Sequence, residues 1–279
     1  MKRIYADLIL LSVAFIWGIT FPVIKVALNS ISPITFNTIR FAIASLLFIP
    51  FLLRKSDFNQ IKIGLMIGIV VFLGYTTQTI GIEFTTATNA GFITSTYVVL
   101  TPAIAYILYR VKITEKEVLW IILAFLGLYL ISGFSGEVNI GDLFVFLCAI
   151  FFAMEIVLIS NYARNNDPVM LAFGQTLAVV LFSAPLTMFE ERFAISQINQ
   201  DVIVALIITA VFATTLAKIA QNYAQGFTRS SDAAIIFSME GVFSHIFAII
   251  ILNESLSVVQ YLGAFLIIVS VIGISLTES

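Results

Sequence analysis

Charge is what this sequence has least of. Only 11% of its 279 residues are Asp, Glu, Lys or Arg, against roughly 25% in ordinary soluble domains. So sparse a charge cannot solvate a globule of this size. The single cysteine, Cys148, lies inside an apolar segment. That excludes an internal disulfide and any cysteine metal cluster. The single histidine, His245, cannot build a zinc site without other His or Cys ligands nearby. No Walker A loop and no GxSxG nucleophile turn occur, so direct ATP coupling and serine hydrolysis are not indicated. Basic runs are missing too, and the net charge is -2, which argues against a nucleic-acid partner. No cofactor is expected.

What the chain has is length of apolar sequence. It is 60% hydrophobic, and a membrane span needs roughly 20 predominantly apolar residues. Ten segments answer: 5–27, 33–53, 62–82, 88–109, 116–134, 140–161, 168–189, 201–223, 232–252 and 256–276. The start, Met1-Lys2-Arg3, resembles a signal-peptide leader. The apolar run Leu8 to Leu28 is too long for one and has no small-x-small cleavage site, so it reads as a retained first span. Pro33 and Pro168 stand where helices begin, the position proline tolerates best. Short loops make neighbouring helices antiparallel. With the amino terminus inside, the cytoplasmic loops collect Lys2, Arg3, Arg54, Lys55, Lys62, Arg110, Lys112, Lys116, Arg164 and Arg229, and the outer loops only Arg192. This bias puts both termini in the cytoplasm. The expected class is an all-α integral membrane protein in the cell membrane, with the lipid bilayer as its surroundings.

The chain also repeats itself. Adding 135 carries Asp7 to Asp142, Ala14 to Ala149, Pro33 to Pro168 and Pro50 to Pro185. Adding 143 carries Gln78 to Gln221, Phe84 to Phe227, Thr85 to Thr228, Ala90 to Ala233, Ser95 to Ser238 and Ser132 to Ser275. The second half has eight extra residues around 190–200. Residues 1–136 and 137–279 are therefore two five-helix repeats, and the odd number inverts one against the other. Inverted repeats are the architecture of many secondary transporters, which bind substrate near midplane where the repeats meet.

Charges inside hydrocarbon-length segments mark substrate or ion paths by default. Most of them lie in the second half. Lys218 and Gln221 share a face of the eighth span, being three residues apart. Their partners by the repeat, Tyr75 and Gln78, share a face of the third. Either these faces line a cavity or the glutamines hold helices together. Glu155, deep in the sixth span opposite Thr20 of the repeat, has Lys218 as its expected counter-ion. The pair is then either structural or in contact with a charged substrate, and Glu155 could also carry a coupling proton. Glu240, the partner of Tyr97, is expected either to serve a structural or gating role or to contact substrate, beside a hinge-capable Gly241. Trp17 is mid-span and thus interior, as cavity wall or packing; Asn89 and Thr96 are weaker cavity candidates. His245 reads as a packed, hydrogen-bonded side chain, with a proton relay as the alternative. Lys25 is expected to snorkel to the interface. Arg40 is expected to pair with carbonyls or a carboxylate to hold the helix, with substrate contact as the alternative. Gly64-x-x-x-Gly68 reads as a close helix contact.

The stretches TTATNAGFITSTYVVLTPAIAYIL (85–108) and SSDAAIIFSMEGVFSHIFAIIILNESLSVVQYLGAFLIIVSVIGIS (230–275) resemble the two halves of the EamA family of the drug/metabolite transporter superfamily. Trp17-Gly18, Arg40-Phe41 and Asn253-Glu254-Ser255-Leu256 match its recurring features. The resemblance covers the whole chain. It implies ten helices and a central cavity lined by spans 1, 3, 4, 6, 8 and 9. It also implies export or facilitated passage of amino acids, amines or related metabolites. The chain departs from the family in having Gly241 after the ninth-span Glu, where Pro is usual. It also has Arg110-Val111-Lys112 where an acidic residue is expected, and Glu155 and Lys218 are not family signatures.

The expected function is alternating-access transport of a small polar metabolite by a monomer or homodimer, with no catalysis. A flippase for a lipid or lipid-linked carrier is the competing reading on the same scaffold. An intramembrane enzyme would need a cluster of catalytic groups that the sequence does not show.

Overall fold

The computed structural model describes residues 3–54, 56–110, 114–131, 139–190 and 198–277. Lys2, Lys55, Val111, Lys112, Ser132 and Arg192, which the sequence reading uses, lie outside the described residues. Among the described residues the structure is helical throughout. The α-helices are α1 (Arg3–Ala27), α2 (Pro33–Leu52), α3 (Phe58–Phe84), α4 (Ala87–Ser95), α5 (Tyr97–Tyr109), α6 (Glu115–Ile131) and α7 (Ile140–Tyr162). They continue as α8 (Pro168–Ser183), α9 (Gln200–Ile207), α10 (Ala217–Gln225), α11 (Ser230–Phe237), α12 (Met239–Leu252) and α13 (Val258–Thr277).

Eight helical stretches among the described residues are long and apolar enough to cross a membrane. α6 and α13 contain shorter apolar stretches, Val118–Gly127 and Val258–Ser270. Helix starts are fixed by polar caps at the expected loops. Asp57 accepts from the Asn59 and Gln60 amides, Asp167 from Val169 ahead of Pro168, and Asn199 from Val202. Two caps come from distant sequence. Glu190 takes the Ile34 and Thr35 amides of α2, and Glu254 takes the Ala87 and Thr88 amides of α4. A carboxylate at a helix N-terminus satisfies orphan donors and meets the positive end of the dipole.

The segments expected as uninterrupted spans 88–109 and 232–252 are each broken in two. α4 meets α5 at Thr96, and α11 meets α12 at Ser238. At both breaks the hydroxyl turns back onto a carbonyl three residues earlier, Thr96 onto Ile93 and Ser238 onto Ile235, each at 2.6 Å. Hydroxyl back-bonding competes with the helical ladder and bends it. Both broken segments end in a left-handed residue that is not glycine: Arg110 at φ 58 and Asn253 at φ 54, 143 apart in sequence. The segment expected as one α-helix over 201–223 runs as α9, then π-helical turns over Ile208–Leu216, then α10. π turns leave the regular ladder and cluster at functional sites.

Small residues set the helix spacing. A Cβ on Gly64 would come within 2.9 Å of the Gly174 Cα, so the Gly64/Gly68 pair is the close contact of α3 with α8. A Cβ on Gly81 would sit 2.8 Å from the Gly141 carbonyl, which locks α3 to α7. Large apolar side chains face outward along the bundle, as Leu46, Ile107 and Phe265 do, the arrangement hydrocarbon requires.

Candidate functional site

A cavity at the centre of the bundle gathers Lys218, Gln221, Gln78, Tyr75, Glu155, Trp17 and Glu240, from α1, α3, α7, α10 and α12. It also receives Thr20, Phe21, Arg40, Tyr97, Phe152 and Ile156. Twelve of these thirteen fall into pairs separated by the offsets of the sequence repeat. At 135 stand Trp17 with Phe152, Thr20 with Glu155, and Phe21 with Ile156; at 143 stand Tyr75 with Lys218, Gln78 with Gln221, and Tyr97 with Glu240. Residues equivalent in sequence thus face one another across one space. In three pairs the first member is neutral and the second charged. Arg40 is the unmatched thirteenth; its counterpart Gln175 bonds Asn222 away from the cavity.

Lys218 is 1% exposed and its Nζ donates to the Glu155 carboxylate, itself 2% exposed. The same Nζ donates to Gln221 Oε1 at 3.1 Å and lies 5.5 and 5.4 Å from the ring centres of Trp17 and Tyr75. Desolvation makes such a pair tolerable only when further bonds satisfy it, and here the glutamine and two aromatic faces do so. The Trp17 indole donates to the Ala213 carbonyl in the π-helical turns at 3.0 Å. This bond holds the ring over the ammonium.

Arg40 departs from expectation. No carboxylate pairs with it among the described residues. Its Nε donates to Thr214 Oγ1 at 2.8 Å, its guanidinium lies 4.7 Å from the Tyr75 ring centre, and its Nη1 has no hydrogen-bond partner although the residue is 1% exposed. Glu240 resembles it. Its carboxyl lies beside the Tyr97 hydroxyl, yet Glu240 Oε1 and the Tyr97 hydroxyl make no aligned bond. Buried polar atoms are almost always satisfied. One donor of fixed positive charge and one carboxyl oxygen therefore stand ready at the cavity.

Other candidates lie elsewhere. Asn89 and Thr96 are not in the cavity lining: the Asn89 amide oxygen accepts from Gln260, and Thr96 is spent on the α4–α5 break. His245 is packed edge-on to Tyr261 with Nδ1 3.2 Å from Thr88 Oγ1, outside the cavity. Lys25 does not snorkel. Its Nζ donates to the carbonyls of Ile82, Glu83 and Thr85 at 2.8, 3.0 and 2.7 Å, filling the C-terminal end of α3. Free carbonyls at a helix C-terminus carry the negative end of the dipole and favour a cation there. Phe152, Phe21 and Ile156 were not singled out by sequence, although the repeat offset applied to Trp17 leads to Phe152.

The cavity holds about 20 Å³, room for a single water. A larger vestibule of about 660 Å³ lies at one end of the bundle, between Arg3, Ser160, Arg164, Gly226, Thr228 and Asp232.

Residues 4–133 and 139–276 each match the EamA-like transporter family. The chain belongs to that family. It is 54% identical over 277 residues to an uncharacterized transporter of Archaeoglobus fulgidus, covering 99% of this chain and 87% of that one. It is 22% identical to the uncharacterized transporter YyaM of Bacillus subtilis, over 98% and 94% of the two chains. A crystal structure superposes with a TM-score of 0.73 at 16% identity, covering 98% of each chain, which is a likeness of fold. The EamA-like chain is thus a multi-pass integral membrane protein of a transporter family.

Proposed function

We propose that the protein is a secondary transporter of the cell membrane that moves small polar metabolites, foremost amino acids or related amines and carboxylates, by alternating access. In this reading ten spans form two inverted five-helix halves, 1–136 and 137–279, with both termini cytoplasmic. The observation that carries it is the central cavity built from sequence-equivalent residues of the two halves, with unpartnered Arg40 Nη1 and Glu240 Oε1 in its wall. A buried guanidinium without a carboxylate suits a ligand's anionic group, and a buried carboxyl suits its donor. The Lys218–Glu155 pair supplies a second charged contact that a ligand can compete for. A lipid tail would need a long apolar wall, and three charged pairs or groups in so small a space do not provide it.

The test is counterflow in proteoliposomes loaded with a mixture of amino acids, amines, nucleosides and organic acids, with mass spectrometry identifying what exchanges. Exchange of amino acids, amines or carboxylates supports the reading. Exchange of none of these by folded protein, with lipid co-purifying, transfers it to the flippase.

A further inference from the structure

The two ends of the bundle are built from equivalent residues, yet they are in different states. At one end Lys25 of α1 holds the carbonyls of Ile82, Glu83 and Thr85, and the Thr85 hydroxyl donates to Asp142 of α7. Asn139 adds a bond to the Phe84 carbonyl. This end is sealed. Applying the repeat offsets to Lys25, Glu83 and Thr85 gives Ser160, Gly226 and Thr228. Those three line the vestibule of about 660 Å³ at the opposite end. The counterpart of Asp142 is Asp7, whose Oδ2 lies 4.0 Å from Arg3 Nε and whose buried Oδ1 has no partner among the described residues, while the Thr228 hydroxyl bonds the Ala224 carbonyl, at 3.4 Å. The vestibule therefore stands where the equivalent of the seal would be. The hydrogen bond made at one end by Thr85 and Asp142 is unmade at the other by Thr228 and Asp7.

We propose that Lys25, Thr85 and Asp142 are positioning residues of the transport cycle that lock one end of the path, and that Thr228 and Asp7 form the reciprocal lock when this one opens. The proposal rests on the alternating-access reading above and names its gates. Lys25 and Ser160 are not chemically equivalent, so the two locks differ in strength. The lysine end holds by five bonds around the end of α3. At the other end Ser160 accepts one bond from Gln225 Nε2 at 3.0 Å, and Asp232 pairs with the exposed Arg3 and Arg229, pairs of the kind that contribute little. The resting protein therefore closes the Lys25 end and opens the vestibule end, the state observed.

The experiment reads both ends at once and needs no substrate. Spin labels at the exposed positions Asn29 and Phe84 report the sealed end, and labels at Arg164 and Phe227, their equivalents, report the vestibule end. Cys148 is fully buried and stays unlabelled. In reconstituted protein, Lys25→Met is expected to shift the 29–84 distances to longer values and the 164–227 distances to shorter ones. Thr85→Val gives the same shift more weakly and covers failure of the first variant to insert. Folded variants with both distributions unchanged overturn the lock. A sealed end that loosens with the vestibule unmoved overturns the reciprocity, because a merely structural cap would do that. Failure of the substrate assignment leaves these distances unaffected, so the two proposals fail separately.

Discussion

Ser95 and Ser238, 143 residues apart and equivalent by the repeat, touch: the Ser95 hydroxyl donates to the Ser238 carbonyl at 3.0 Å. An equivalent pair in contact lies where two related halves meet. The bond joins the fourth and ninth segments at their breaks, a few residues from Tyr97 and Glu240. It also explains a departure from the family pattern. A Cβ at Gly241 would lie 2.7 Å from Ser95 Oγ and 3.1 Å from the Gly91 carbonyl, so any larger residue here, the family's proline included, would have to displace the Ser95 hydroxyl.

Gly241→Ala should displace the Ser95 hydroxyl and cost about 1 kcal/mol, the net worth of a hydrogen bond. In a Ser95→Ala background most of that cost should vanish. Thermal unfolding of the single and double variants in detergent measures the coupling; additive effects contradict the contact.

Lys218→Ala or Glu155→Ala leaves one charge buried alone. A loss of about 3–5 kcal/mol is expected from breaking such a pair, together with loss of transport by protein that still inserts. The double variant Lys218→Met/Glu155→Leu should regain most of the stability and none of the transport. Denaturation midpoints read beside exchange rates separate the two roles.

Arg40→Met keeps the stem and removes the guanidinium. Exchange of substrates bearing a carboxylate should fall at least tenfold through KM, and exchange of amines lacking one should persist. Equal loss for both classes would make Arg40 a packing residue.

Glu254→Ala removes the carboxylate from the α4 amides at 2.9 Å. A loss of about 1–2 kcal/mol is expected for such a cap. Glu254→Gln should recover part of it, and unchanged unfolding temperatures would show the cap to be idle.

The apolar segments and the helix starts at Pro33 and Pro168 were legible because span length and proline placement are local. The Lys218–Glu155 pair was legible because two opposite charges in hydrocarbon have few other partners. The breaks at Thr96 and Ser238 were not, since a hydroxyl folding back on its helix leaves no glycine or proline signature. Nor were the π-helical turns over Ile208–Leu216, which have no residue signature and present the Ala213 carbonyl to Trp17 and the Thr214 hydroxyl to Arg40. Lys25 reads in sequence as an interfacial lysine, and its three carbonyls come from a helix 57 to 60 residues away. Asn89 and Thr96 are polar side chains in apolar surroundings whose bonding is satisfied nearby, a fact that spacing alone does not carry.

Binding of substrate in the cavity between equivalent residues is what the proposed function requires. It is tested most directly by counterflow of the identified substrate through wild type and Lys218→Ala reconstituted at equal density. Exchange by wild type with none above empty liposomes for folded Lys218→Ala is the predicted result. Equal exchange by both would contradict the assignment and move the binding site out of this cavity.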